Sequence, residues 1–376
     1  MNTIQMVDLN GQYLRIKNEV DDAVANVIAS SAFINGPEVK TFQKNLEEYL
    51  DVKHVIPCGN GTDALQIALM GLGLKPGDEV ITSGFTFIAT VEVVALLGLK
   101  LKFVDVDPDT FNLNPKLVEN AITADTKAIV PVHLFGQGAD MEELINIAEK
   151  HNLFIVEDNA QAIGAEYTFD SGITKKLGTI GHVGTTSFFP SKNLGAYGDG
   201  GALFTNDDEL ALKFKQITNH GSKVKYYHDE VGVNSRLDTL QAAVLDIKLK
   251  YLDSYAKARQ TVAELYDNAF KDHLNVKIPF RNDKSSHVFH QYTIQVNGID
   301  RDGLKSYLND KGIPAMVYYP FPLHLQNAYK YLGYKKNDFP VTEKLCETVL
   351  SLPMRTEMTE DQIEYITKSV LEYANR

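Results

Sequence analysis

Residues 54–74, HVIPCGNGTDALQIALMGLGL, contain the pattern that decides the fold of this 376-residue chain. A short apolar run is followed by a glycine-rich turn and then by a segment with the 3.6-residue periodicity of an amphipathic helix. The alternation continues to residue 205 and predicts the strands HVIPC, EVITSGFTF, KLKFVDV, TKAIVPV, LFIVEDN, GTTSFFP and GGALFTN, with helices such as DALQIALMGLGL, PKLVENAI and MEELINIAEKHN between them. It predicts an α/β fold with a mainly parallel sheet flanked by helices.

The pattern changes after residue 236. Residues 237–270 predict one long helix, because they contain no strand pattern and no proline. The strands HQYTIQV and PAMVYYP then alternate with helical segments up to the end of the chain. We therefore predict a large domain over residues 1–250 and a smaller C-terminal α/β domain over residues 251–376.

Composition excludes several classes of function. The formal net charge of −12 argues against nucleic-acid binding. The chain has no apolar stretch long enough to span a membrane and no secretory signal, which favours a cytoplasmic protein without a membrane partner. Its two cysteines, Cys58 and Cys346, form no zinc-binding pattern with histidine, so no metal site is expected.

Four polar clusters follow predicted strands: GNGTD, the FTF stretch, EDNAQ and PSKNLGAYGDGG. In open parallel sheets, ligands bind at the carboxyl ends of the strands. One edge of one sheet would therefore bring these distant clusters together.

The first cluster favours a phosphate. Gly59 and Gly61 allow a sharp turn, and Thr62 and Asp63 then open a helix whose N-terminus attracts anions. An ordinary Thr or Asp N-cap explains the same letters. They also match G-x-G-x-x-A, which leaves an NAD-dependent dehydrogenase open, although the next strand lacks the acidic end that this fingerprint expects.

Asp158 and Lys192 are the candidate reactive residues. A carboxylate that ends a buried strand needs a positive partner, such as the pyridine nitrogen of pyridoxal 5′-phosphate (PLP), unless Asp158 only caps a helix. Its neighbour Glu157 points the opposite way and suits a structural contact. Lys192 lies in a glycine-rich turn; it is either an exposed surface lysine or an amine that forms a Schiff base.

The clusters extend into longer motifs, GNGTDAL, GFTFIAT, VEDNAQAIGA, SFFPSKNLGAYGDGGA and GVNSRLDTLQAA. In this order, over nearly the whole chain, they resemble the DegT/DnrJ/EryC1/StrS sugar aminotransferases, which are fold-type I PLP enzymes. Within that family the chain is most similar to the UDP-2-acetamido-2-deoxy-3-oxo-D-glucuronate 3-aminotransferases, which serve the synthesis of bacterial surface polysaccharides such as the lipopolysaccharide O-antigen.

The resemblance implies a role for each matching residue. Lys192 matches the Schiff-base lysine and Asp158 the partner of the pyridinium. The other cofactor positions are Gln161 at the cofactor hydroxyl, Phe87 against its ring, Gly61, Thr62 and Ser187 at its phosphate, and Asn234 reaching the phosphate of a partner subunit in a homodimer. Arg236, Tyr318 and Tyr319 match substrate positions, and Tyr318 stands where the glucuronate branch has a histidine. The Tyr-rich run could equally be a packed strand.

The reaction that the resemblance implies is a two-step transamination. Glutamate gives its amino group to the cofactor, and C3 of a 3-oxo nucleotide sugar then receives it. A dTDP-linked 3-oxo or 4-oxo 6-deoxy sugar is the alternative substrate. Relatives that act as dehydratases carry a histidine in place of the lysine, so Lys192 argues against that activity. A non-catalytic regulatory relative would have no need for Lys192, Asp158, Gln161 and Ser187 together.

Overall fold

The structure, a computed structural model, describes residues 4–376. Its strands are, in chain order, β1 (His54–Cys58), β2 (Glu79–Ser83), β3 (Lys100–Val104), β4 (Thr126–Val130), β5 (Phe154–Asp158), β6 (Glu166–Thr168), β7 (Thr174–Lys176), β8 (Val183–Ser187), β9 (Gly201–Thr205), β10 (Ser222–Val224), β11 (Tyr227–His228), β12 (Val276–Lys277), β13 (Tyr292–Val296) and β14 (Val349–Leu352). Its α-helices are α1 (Leu9–Arg15), α2 (Lys17–Ser30), α3 (Pro37–Leu50), α4 (Gly61–Gly71), α5 (Ala89–Leu96), α6 (Pro115–Ala121), α7 (Met141–His151), α8 (Asp208–Ile217), α9 (Thr239–Leu249), α10 (Leu252–Phe270), α11 (Arg301–Asp310), α12 (Pro340–Thr348) and α13 (Glu360–Ala374).

A seven-stranded sheet has the order β1-β9-β8-β5-β4-β2-β3. Strand β9 runs antiparallel to both of its neighbours, and the remaining pairs in the sheet are parallel. Six strands therefore point the same way, and their carboxyl ends share one edge. All seven predicted runs form strands, which confirms the predicted α/β class.

Both faces of this sheet are covered by helices. All five residues of β2 are buried. Val80 packs in a core with α4, α5 and α8, while its neighbour Ile81 packs in another core with α6 and α7. Because successive strand residues point to opposite faces, a strand buried on both sides needs a continuous apolar run rather than an alternating one.

Strands β2 and β8 end before the aromatic letters of their predicted runs. Strand β2 stops at Ser83 and β8 stops at Ser187. The Ser83 hydroxyl accepts a hydrogen bond from the Phe85 N–H at 2.8 Å, and the Ser187 hydroxyl accepts one from the Phe189 N–H at 3.2 Å. These serine turns replace the ladder bonds and release the following aromatic residues from the sheet.

The predicted helix over residues 237–270 is wrong in one respect, because it is two helices, α9 and α10. At the break, the N–H groups of Lys250 and Tyr251 bond to carbonyls only three residues back. This tighter turn lets α9 pack on α2 and α3 while α10 packs on α13. The predicted boundary after residue 250 falls in this break.

A second core surrounds the three-stranded sheet β12-β13-β14 together with α10, α11 and α13. The predicted strand PAMVYYP is absent; only Met316 pairs, with Ser351 of the unpredicted strand β14. Pro320 and Pro322 lack the N–H groups that a ladder requires. Residues 317–322 instead run back toward the large sheet. Within residues 4–376, no helix is both long and apolar enough to cross a membrane.

Glu157 has the structural role predicted for it. Its fully buried carboxylate accepts hydrogen bonds from the N–H groups of Gly178, Ile180 and Gly181 at 2.6–2.8 Å. It also accepts one from His133 Nε2 at 2.8 Å, since the other ring nitrogen of His133 accepts the Ala139 N–H. The carboxylate thus joins β5 to the loop before β8.

We expect Glu157→Ala to lower the free energy of unfolding by about 3 kcal/mol, because it leaves several buried donors without an acceptor. Urea unfolding followed by circular dichroism would measure the loss. Glu166→Ala is the matched control: this half-exposed carboxylate pairs with Lys176 at 2.8 Å at the surface, so its removal should cost less than about 0.5 kcal/mol. Equal losses in the two variants would contradict the role of Glu157.

Candidate active site

The glycine turn after β1 lies against the end of β8. A Cβ atom added to Gly61 would lie 2.6 Å from the Cβ of Ser187, so no larger residue fits between them. The cap of α4 is Asn60, whose side chain accepts the Asp63 N–H at 2.8 Å, and not Thr62 or Asp63 as predicted. Capping from Asn60 leaves the N–H groups of Gly61 and Thr62 at the helix N-terminus without an intrahelical acceptor.

Asp158 is a buried carboxylate fixed in one orientation. It is 5% exposed, and its Oδ2 accepts a hydrogen bond from the Thr90 hydroxyl at 2.8 Å. Its Oδ1 accepts the Ala160 N–H at 3.2 Å. No α-helix begins directly after β5, where residues 160–164 form turns. The interpretation of Asp158 as a helix cap is therefore wrong. The sequence analysis did not single out Thr90, although the quoted motif GFTFIAT contains it.

Gln161 joins two remote parts of the chain. Its Oε1 accepts the Phe135 N–H at 2.7 Å, and its Nε2 donates to the Tyr319 hydroxyl at 3.2 Å. The second bond spans 158 residues and places Tyr319 at the carboxyl edge of the large sheet. This part of the Tyr-rich run is therefore not a packed strand. Sequence spacing carries no signal for a contact of this length.

Phe87 offers an apolar ring to solvent at the same edge. It is 55% exposed, and its ring centroid lies 6.5 Å from that of Tyr319. An exposed phenylalanine beside buried polar groups is a candidate binding surface for a flat ring. The serine turn at Ser83 explains why this aromatic residue is outside the sheet.

Lys192 carries the most perturbed amine of this edge. Burial lowers the pKa of Lys192 to about 8, although the negative charge of Asp158 opposes this shift. Within residues 4–376 it forms no ion pair. Lys192 is thus not a surface lysine.

His290 is a neighbour of Lys192 that the sequence analysis missed. It is 8% exposed, and its Nδ1 has no hydrogen-bond partner in the described part of the chain. Burial lowers the pKa of His290 well below its usual range, and the positive charge of Lys192 lowers it further. The imidazole is therefore neutral and adds no charge beside the amine.

The loop before α9 lies on the glycine turn of its own chain. The Ser235 hydroxyl accepts the Gly59 N–H at 2.8 Å and donates to Asp63 at 2.6 Å. Its neighbours Asn234 and Arg236 are respectively exposed and half-buried. Among the residues described, Arg236 has no ion-pair partner, not even its near neighbour Asp238.

With this sheet and this edge, the chain falls into the fold-type I class of PLP-dependent enzymes. A model of the DegT/DnrJ/EryC1/StrS aminotransferase family matches residues 14–371, and the chain belongs to that family. It is a PLP-dependent nucleotide-sugar aminotransferase.

Three relatives match almost end to end. The chain is 48% identical to a pleiotropic regulatory protein of Geobacillus stearothermophilus, with 98% of each chain covered. It is 45% identical to the UDP-2-acetamido-2-deoxy-3-oxo-D-glucuronate aminotransferase of Pseudomonas aeruginosa, over 96% of this chain and 98% of that one. It is 39% identical to a dTDP-3-amino-3,4,6-trideoxy-alpha-D-glucose transaminase of Streptomyces venezuelae, over 99% and 97%.

Solved structures agree with the fold. DesV of S. venezuelae, in complex with a ketimine intermediate, superimposes with a TM-score of 0.95 at 39% identity over 100% of both chains. NtdA of Bacillus subtilis, with bound cofactor PMP, the aminated form of PLP, gives 0.87 at 34% identity over 96% of this chain and 82% of that one. The predicted family, fold class, enzyme class and cofactor are confirmed, and the NAD-dependent alternative is wrong.

The lowered pKa of Lys192 predicts how the cofactor-free enzyme takes up PLP. Only the neutral amine attacks a carbonyl, so the uptake rate should rise with pH and level off above about pH 8 rather than at the ordinary lysine value of 10.5. Growth of the visible absorbance of lysine-linked PLP measures this rate. Because Asp158 raises the pKa, Asp158→Asn should move the midpoint to lower pH. A wild-type rate that keeps rising up to pH 10.5 would contradict the prediction.

Proposed function

We propose that this enzyme transfers the amino group of glutamate to C3 of UDP-2-acetamido-2-deoxy-3-oxo-D-glucuronate, for the synthesis of bacterial surface polysaccharide. The observation that carries the reaction is the half-buried Lys192, whose amine has a lowered pKa and shares the edge of one sheet with the fixed carboxylate of Asp158 but forms no ion pair with it. The sugar is proposed from the Pseudomonas aeruginosa relative and from the cation of Arg236.

The residues at this edge fit PLP. Gly61 leaves room beside Ser187, and the free N–H groups at the N-terminus of α4 suit a phosphate. Asp158 has one oxygen on Thr90 and would face the ring nitrogen, with Phe87 against the ring and Gln161 at its hydroxyl. When bound, PLP supplies a ring that stabilises negative charge on the carbon attached to the substrate nitrogen.

Lys192 is the proton carrier in this proposal. An amine with a pKa of about 8 is about one-fifth neutral at pH 7.4, against less than about one-thousandth for an ordinary lysine, so it can take a proton from the α-carbon of glutamate. The resulting Lys192 ammonium would hold this proton within the site and release it again later in the transfer. Partial burial serves both steps, because fewer water molecules compete for the proton.

Arg236 is proposed to bind the C6 carboxylate of the sugar. A half-buried guanidinium without an ion-pair partner can offer two parallel donors to a carboxylate. Tyr318 and Tyr319 are proposed to line the same sugar site, since Tyr319 reaches it through Gln161. The Tyr319 hydroxyl stays protonated, because burial raises its pKa.

A dTDP-linked 3-oxo or 4-oxo 6-deoxy sugar is the second candidate. Two observations favour it: Tyr318 replaces the histidine of the glucuronate branch, and the Streptomyces venezuelae relative carries a dTDP-sugar name. The Geobacillus stearothermophilus relative is named as a regulatory protein, so a regulatory role is a further alternative. The retained Lys192, Asp158, Gln161 and Ser187 support catalysis instead, because binding alone would not require all four.

The active unit is proposed to be a homodimer with shared sites. Asn234 is exposed on a loop that Ser235 holds against the glycine turn. A rigidly held, exposed amide can donate to a phosphate in a second subunit. We propose that Asn234 does so.

A substrate panel tests the reaction and the sugar. The enzyme with PLP and glutamate is expected to form 2-oxoglutarate fastest with UDP-2-acetamido-2-deoxy-3-oxo-D-glucuronate among UDP and dTDP sugars with 3-oxo or 4-oxo groups. Lys192→Ala should lose at least about 10³-fold in rate, because it removes the proton carrier. Faster turnover of a dTDP-linked 6-deoxy sugar would replace the proposed substrate. Full activity of Lys192→Ala would refute the mechanism.

The role of Arg236 is tested by pairing a variant with two substrates. Arg236→Gln should lower kcat/KM by about tenfold to a hundredfold for the sugar with a C6 carboxylate, since it removes a charge-assisted bidentate contact. The analogue with a methyl group at C6 serves as the control and should lose less than about threefold. Equal losses for both sugars would show that Arg236 does not bind the carboxylate.

A further inference from the structure

Lys248, on α9, is a charged residue that the proposed mechanism does not use. Its side chain is 0% exposed, and it is among the largest fully buried side chains of the protein. Within residues 4–376 it has no carboxylate partner for an ion pair. The carboxylate of Glu357 acts on it only from a distance, and a buried lysine without a direct ion pair is costly and therefore needs an explanation.

The amine of Lys248 contacts the turn that carries Lys192. Its Nζ donates a hydrogen bond to the carbonyl of Gly195 and lies 5.3 Å from the centre of the Tyr197 ring. Both contacts are with residues that follow Lys192 within the same loop. Burial lowers the pKa of Lys248 to about 8, so the amine binds its proton more weakly here than in water.

The turn is closed on itself at Gly195. A Cβ atom added to Gly195 would lie 2.3 Å from the carbonyl oxygen of Pro190, so the chain folds back there without room for a side chain. The Lys192 N–H donates to the Phe189 carbonyl at 2.8 Å, and the Ala196 N–H donates to the Phe188 carbonyl at 2.8 Å. The position of Gly195 thus fixes where the backbone of Lys192 lies.

Helix α9 holds this turn at two points. Gln241, seven residues before Lys248, accepts the Tyr197 N–H through its Oε1 at 2.8 Å. Seven residues make almost two full helical turns, so both side chains lie on the same face of α9. Side chains of one helix therefore form hydrogen bonds with both the carbonyl of Gly195 and the N–H of Tyr197.

We infer that Lys248 is a positioning residue for Lys192: its buried amine holds the Gly195 carbonyl and thereby keeps the reactive amine in place. The inference rests on the proposed role of Lys192 in proton transfer. An amine displaced by a fraction of an ångström transfers protons more slowly, whereas the binding of glutamate does not depend on its position.

The test compares Lys248→Met with Lys248→Gln in the PLP-loaded enzyme. The two replacements have the same length, but only glutamine retains an N–H donor for Gly195. Lys250→Met, at an exposed position two residues further on, is the matched control. The first readout is the rate constant and half-saturating glutamate concentration of the glutamate half-reaction, followed by the loss of visible absorbance. The second is the pH at which that absorbance titrates without any substrate.

For Lys248→Met we expect a rate constant about tenfold to a hundredfold lower, with the half-saturating glutamate concentration unchanged. The absorbance midpoint should shift by at least about half a pH unit, and Lys248→Gln should recover part of both changes. Neither readout uses a sugar, so an error in the proposed sugar leaves the test intact.

If Lys248→Met matches Lys250→Met in both readouts, the inference is wrong. If Lys248→Met does not fold, Lys248→Gln decides: a lower rate constant and a shifted midpoint at an unchanged half-saturating glutamate concentration support the inference, whereas values equal to those of Lys250→Met overturn it.

Discussion

The site depends on keeping two opposite charges apart. Asp158 and Lys192 are close enough for the carboxylate to raise the pKa of the amine, yet they form no ion pair within 4 Å. A direct pair in a buried site would stabilise both charges and leave the amine protonated. The separation instead leaves the carboxylate without a direct cationic partner and the amine without a direct anionic partner. A cofactor with a basic ring nitrogen and an aldehyde satisfies both.

The backbone enforces this separation through strand ends. Asp158 ends β5 and pairs with Thr185 of the adjacent strand β8, from which the chain continues past Ser187 into the turn of Lys192. Two hydrogen bonds, from the hydroxyl of Thr90 and the N–H of Ala160, hold the Asp158 carboxylate in one orientation. The lysine turn is tied to α9 and, through the Asn193 side chain, to the Val288 carbonyl at 2.9 Å. Strand β8 is thus common to both groups, whereas α5 holds only the carboxylate and α9 holds only the lysine turn.

The strands and the common edge at which Asp158 and Lys192 lie could be predicted from the sequence, because these depend on local periodicity and on strand direction. Prediction failed where an outcome depended on distant partners. The bond between Gln161 and Tyr319 joins positions that no local pattern connects. The break between α9 and α10 follows from packing against two different cores, which propensity does not encode. The serine turns at Ser83 and Ser187 were predictable in principle, since a serine hydroxyl that accepts the N–H two residues further on can end a strand.

The same distinction separates the reaction from the choice of sugar. Reactive groups lie at the ends of buried strands, where a substitution disturbs the core. The tyrosines proposed to face the sugar lie on an irregular segment that returns from the second core. That segment is held by the bond of Tyr319 with Gln161 and by the Leu323 N–H, which donates to the Gly84 carbonyl at 3.0 Å. Further along, Asp105, which follows β3, accepts the N–H groups of Val341 and Thr342 at 2.9 and 2.8 Å at the start of α12. Because this contact of Asp105 lies some twenty residues beyond the tyrosines, the residues between can change without moving β5 or β8. A fold organised in this way can keep the same proton-transfer chemistry in all relatives, while the sugar that receives the amino group differs from one relative to another.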